Sequence, residues 1–200
     1  MRDLVKRGSG AVFARLLHTG LGLGFLLVTA GTLQGQNAGP ANAGAGPSIP
    51  AVEATALDGH AVSLPAALPG RATVLILGFG KHSADATTAW EKVVRTQLAQ
   101  PPSIGFFDMA MVAEVPSFVR PMVLRSIRKD VPDVLKPNFL PLFDHEEDWK
   151  HVAGYAADQP EAAYIMVVDQ AGNVRWSTHE PFSQAAFARL REAAQHVQSR

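Results

Sequence analysis

The 200-residue chain contains no cysteine. That absence removes disulfides, thiolate nucleophiles, CxxC redox pairs, cysteine-ligated zinc, iron–sulfur clusters and lipidation on cysteine. The chain also lacks net charge, because 18 Lys and Arg balance 18 Asp and Glu. A chain-wide basic field for nucleic acid is thereby excluded. There is no internal repeat, no HExxH-type metal motif and no cofactor motif. What is present is a globular composition, 47% apolar and 18% charged, which argues against wholesale disorder.

The N-terminus reads as an export segment. Arg2, Lys6, Arg7 and Arg15 stand against one acid, Asp3, and a largely apolar run follows from Leu16 to Leu33. A basic region before an apolar run marks a signal peptide or an N-terminal membrane anchor over residues 1–33. Val28-Thr29-Ala30 and Ala41-Asn42-Ala43 place small residues where a signal peptidase cuts. The run is also near the shortest length that spans a bilayer. In either case the basic flank stays inside and the remainder is exported, to a periplasmic or other extracytoplasmic space. Residues 34–50 carry no charge and no aromatic side chain, and read as a flexible tether. Residues 51–200 form the domain, with 14 basic and 17 acidic residues, a net charge of −3.

Along the domain, periods of two and 3.6 alternate. Val52–Leu57 and Ala61–Leu64, joined through Asp58-Gly59, predict a β-hairpin. Ala72–Phe79 is a continuous apolar run, as a central strand covered on both faces requires. Ser83 offers an N-cap, and Trp90, Val93, Val94 and Leu98 fall on one face of the helix that follows. A second strand is expected within Gly105–Val115, a helix over Pro121–Lys129 and an extended segment over Asn138–Phe143. Asp144 is read as the N-cap of the next helix. Ala163–Val168 is the third buried strand, and Asn173–Ser177 folds back on it through Asp169–Gly172. Residues 182–197 form the last helix. Strands alternating with helices predict an α/β fold, a three-layer sandwich with a mixed central sheet, helices on both faces and an N-terminal β-hairpin.

This order resembles the thioredoxin-like fold, in particular its redoxin branch, the peroxiredoxin and AhpC/TSA-like proteins. The resemblance rests on three segments: Leu57–Leu64 with Leu68–Arg71 and the strand to Phe79; Phe139–Asp144 running to Ala153-Gly154-Tyr155; and Tyr164–Trp176. Within that fold, Leu124–Lys129, Pro132 and Tyr164…Asp169…Val174-Arg175-Trp176 are similar to the mitochondrial ATP synthase assembly factor family (ATPase complex subunit ten). That likeness implies a membrane-associated assembly helper rather than an oxidoreductase. The redox hallmarks of the fold are missing. Gly80–Thr88 holds no thiol where the reactive cysteine sits, and the cis-proline position before the third buried strand falls near Ala163, with Pro160 three residues earlier.

Four groups of residues bear chemistry. Lys81, His82, Ser83 and Asp85 occupy the corner of the lost reactive site and would suit an anion or a peptide at a helix N-terminus. All lie within one turn, which does not by itself assemble a catalytic triad. Asp144, His145, Glu147, Asp148 and His151 include pairs on one helix face, without a metal motif; a solvated acidic face is the plainer reading. Arg120, Arg125, Arg128, Lys129 and Lys136 form a basic patch that would steer the domain to acidic segments or anionic lipid. Of the three tryptophans, Trp90 reads as core, while Trp176 beside Arg175 would suit either core packing or a protein interface.

The leading expectation is an exported, tethered thioredoxin-like protein without thiol redox activity, acting as a binding or assembly factor for a membrane complex such as ATP synthase. The partner expected is a protein at a membrane, with no nucleic acid and no cofactor. The alternative is a divergent redoxin-fold enzyme or ligand-binding protein that uses the Lys81–Asp85 corner.

Overall fold

The computed structural model describes residues 46–80, 82–99 and 104–199. The segment read as signal or anchor and most of the tether lie outside the described residues. Among the described residues, no helix is long and apolar enough to cross a membrane.

Strands β1 (Val52–Thr55) and β2 (Ala61–Leu64) pair antiparallel as the expected hairpin. The main sheet holds β3 (Ala72–Gly78), β4 (Ile104–Met111), β5 (Phe139–Leu142), β6 (Ala163–Asp169) and β7 (Val174–Thr178) in the order β5-β4-β3-β6-β7. The pairs β3–β4 and β4–β5 are parallel, and β3–β6 and β6–β7 antiparallel, so the sheet is mixed. Helices are α1 (Ala84–Val93), extended by a π-helical turn at Val94–Leu98, α2 (Arg120–Asp130), α3 (Glu146–Ala153) and α4 (Gln184–Gln198).

The unbroken apolar runs of β3 and β6 follow from cover on both faces. Leu75, Leu77, Tyr164, Met166 and Val168 pack with the hairpin and with Trp149 and Ala153 of α3. Val74, Ile76, Ile165 and Val167 pack with Trp90 and Val94, and with Phe187, Leu190 and Ala194 of α4. Three layers result: hairpin and α3, sheet, α1 and α4. A smaller cluster under α2 joins Ile127 to Leu57 and Val112 beside the β5 edge.

Several boundaries differ from the sequence reading. Residues 46–50, assigned by composition to the tether, are tied to the domain: Val174 N–H donates to Pro47 O, Ile49 N–H donates to Gly172 O, and Ile49 is buried. One aliphatic side chain finds a core site that composition does not register. β4 begins one residue ahead of the expected window, at Ile104, and a 3₁₀ segment, Asp133–Asn138, precedes β5. α4 starts after Ser183, whose hydroxyl accepts from Ala186 N–H, so Phe182 lies ahead of the helix and meets Trp90 edge-on at 5.4 Å. Asp144 is not the cap of α3. His145 takes that place in the left-handed region (φ 61°), and its carbonyl accepts from Trp149 N–H.

Candidate functional site

The corner after β3 is built from backbone. β3 ends at Gly78, Phe79 turns to the α3 face, and Gly80 lies against the Pro160 carbonyl; a Cβ on Gly80 would stand 2.5 Å from that oxygen. Only glycine allows this approach of two backbone segments. Lys81 lies outside the described residues. His82 and Asp85 are exposed, while Ser83 is buried.

Ser83 takes the N-cap position of α1 but does not cap through its side chain. Its hydroxyl donates to Gly80 O at 2.8 Å, and its carbonyl accepts from Thr87 N–H. The Thr87 hydroxyl donates to Ala84 O. Both hydroxyl protons are thus committed to backbone. A nucleophilic serine would need its proton directed at a base, and no hydrogen bond among the described residues joins His82, Ser83 and Asp85. The corner thus exposes His82 and Asp85 on either side of the buried Ser83.

Beside it stands an aromatic cluster that no period in the sequence marks. Phe79 meets Tyr155 and Tyr164 edge-on, each at 5.3 Å, and the Tyr164 ring lies 5.5 Å from that of His179. The buried Tyr164 hydroxyl accepts from Ala156 N–H at 3.1 Å and donates to Gln159 O at 3.0 Å. Burial pushes its pKa up. The loop that faces Gly80 is therefore braced by one phenol. The signal available in the sequence was aromatic clustering at three strand and helix ends, which only the fold brings together.

On the other face, α1 hides an acid. Glu91 is buried and accepts from Arg95 Nε at 2.7 Å. Beside it, burial and the Glu91 charge push the Asp108 carboxyl up to about 7. Sequence reading passed over both, since an acid on an otherwise apolar helix face carries no period of its own.

The remaining candidates separate. Arg175 and Trp176 do not form an exposed pair. Arg175 is the extra residue of a β-bulge between β6 and β7; it donates to Asp169 Oδ2 from Nε (2.9 Å) and Nη2 (2.6 Å), and Trp176 packs into the α1–α4 core. His145 Nδ1 lies 3.1 Å from Asp148 Oδ2, and Lys150 donates to Glu146 and Glu147, which raises its pKa. These residues and His151 are not gathered as a metal-binding group among the described residues. Arg120 lies over the Phe143 ring at 4.6 Å, and Arg128 Nε donates to Leu57 O. Arg125 and Lys129 are exposed, and Lys136 pairs with Asp133.

No family model and no curated protein matches the chain. Solved structures do. A putative electron transfer protein from Aquifex aeolicus matches at 12% identity over 76% of this chain and 95% of its own, with TM-score 0.53. A putative protein disulfide isomerase from Bacteroides thetaiotaomicron matches at 14% over 80% and 93%, with TM-score 0.51. The pneumococcal exposed lipoprotein thioredoxin from Streptococcus pneumoniae matches at 10% over 72% and 98%, with TM-score 0.50. At such identities the likeness is one of fold, and the fold is thioredoxin-like.

Proposed function

We propose that this protein is an exported thioredoxin-like module that binds a protein partner at a membrane and does no thiol chemistry. The observation that carries the reading is the corner after β3. The fold is whole there, yet no thiol exists, and the buried hydroxyl nearest the helix start is committed to Gly80 O. Export is supported by the basic and apolar N-terminal run and by the exposed lipoprotein thioredoxin among the structural neighbours. The more specific reading, an assembly factor for a membrane complex such as ATP synthase, rests on the resemblance at Leu124–Lys129 and Val174–Trp176. In this reading the partner docks on the Gly80–Asp85 corner, with His82 and Asp85 as its exposed polar groups and the Pro160–Glu161 backbone as its wall.

The test is capture from solubilised membranes with the tagged full chain, beside a His82→Ala/Asp85→Ala variant. The reading expects subunits of one membrane complex with the parent chain, at least tenfold fewer with the variant, and no peroxide or disulfide turnover by either. Turnover at about 1 per second or faster would overturn the non-catalytic part. Equal capture by both chains would remove the corner as the docking point.

A further inference from the structure

Three large apolar side chains stand exposed among the described residues, Phe118 (86%), Met122 (56%) and Val134 (70%). Phe118 lies in the turn that leads into α2, and Met122 four residues on lies in the first turn of the helix. The same stripe continues through Arg125, Ser126 and Lys129, all exposed. The opposite side of the helix, Val123, Leu124 and Ile127, packs on Leu57, Val112 and Phe143. The outward stripe is therefore not needed for the core.

Residues 118–129 hold four bases and no acid, in a domain of net charge −3. Arg120 and Arg128 are held at the base of the helix by Val115 O and Leu57 O. Arg125 and Lys129 form no ion pair among the described residues. An apolar tip followed by unpaired cations matches an interface that is greasy inside and anionic at its rim. The exposed face of a helix is convex, so it fits a surface able to deform around Phe118 better than the preformed socket of a folded protein. The chain also has the means to bring the face there. Leu16–Leu33 is an apolar run, and the 12 residues 34–45 between it and the domain extend to at most about 40 Å.

We infer that this face of α2 docks on an anionic bilayer surface, with Phe118 and Met122 entering the boundary between headgroups and acyl chains and Arg125 and Lys129 facing lipid phosphates. The docking goes beyond the proposed partner binding and can be tested apart from it, since it uses neither His82 nor Asp85 and needs no protein.

The absence of cysteine makes the test clean. Ser126→Cys in the full chain takes a single nitroxide label on the stripe without removing Phe118, Met122 or a cation. Glu192→Cys, on the exposed side of α4, reports the far face. Each labelled chain is reconstituted in phosphatidylcholine vesicles with and without phosphatidylglycerol, and collision with oxygen and with a water-soluble nickel complex is measured. The expected result is that the label at position 126 gains oxygen contact and loses nickel contact only when phosphatidylglycerol is present, while the label at 192 stays in water throughout. Arg125→Gln/Lys129→Gln in the Ser126→Cys background should weaken the docked state about fivefold per cation removed. The inference is overturned if the label at 126 remains in water on phosphatidylglycerol vesicles. It is equally overturned if shielding appears only in native membranes that retain their proteins, which would give the face to a protein partner.

Discussion

Asp108 of β4 sits in the field of Glu91 of α1: burial first, and then that neighbouring carboxylate, push its pKa up to about 7. Glu91 keeps Arg95 for itself through the 2.7 Å bond from Nε. The folded state therefore holds a proton between pH 3.8 and about 7 that the unfolded chain has lost. From this group, stability is greatest at the acid end of that window and falls as pH rises through it. Asp108→Asn should abolish that decline and stabilise the protein above pH 7 by about 1–3 kcal/mol. Urea unfolding midpoints at several pH values check it, and an unchanged slope in the variant would acquit Asp108.

Asp169 behaves in the opposite sense. Burial disfavours its charge, but hydrogen bonds from Asn173 and Arg175 outweigh burial and hold its pKa below the usual carboxylate range. Its contribution is present above the unfolded pKa and is lost as acid protonates the folded carboxylate. Arg175→Ala should cost about 1–2 kcal/mol and raise the pH at which acid unfolding begins. Membrane-partner capture should be unaffected, because Arg175 is spent on Asp169.

Gly80→Ala places a methyl carbon 2.5 Å from Pro160 O. The loop or the start of α1 must move, so a loss of about 2–3 kcal/mol is expected. A loss near zero by thermal unfolding would mean that the two backbone segments do not touch.

Tyr164→Phe removes the phenol that holds Ala156 and Gln159. Stability should fall by about 1–2 kcal/mol. The Ala156 amide should exchange with solvent faster than in the parent, while amides of β3 keep their relative protection.

The layered fold was legible because its strongest signals are local. β3 and β6 are apolar without a break, and Trp90, Val94 and Leu98 keep helical spacing whatever surrounds them. β5 was placed despite Pro141, which an edge strand tolerates where its missing N–H faces no partner. What escaped was set by contacts between distant segments. The Glu91–Asp108 pair arises where α1 crosses β4. Arg175 and Trp176 look like a unit in sequence, yet a β-bulge falls at Arg175, which is held by Asp169, while Trp176 is held by the α1–α4 core. The Gly80–Asp85 segment can be named from the sequence, but the aromatic cluster beside it and its seal at Pro160 come from a loop some 80 residues later.

Gly46–Pro50 gives the domain a mechanical entrance. Load applied through the N-terminal segment arrives at the turn between β6 and β7, where Pro47 O, Ser48 Oγ and the Ile49 amide meet Val174, Asn173 and Gly172. Those bonds are taken up one after another, as in opening a zip, so they part before the ladders that hold β3 at the centre of the five strands. α2 sits by the opposite edge of the sheet, at β5. A domain held at both places would bear tension across its strands, and its weakest seam would be the five residues that join it to the tether.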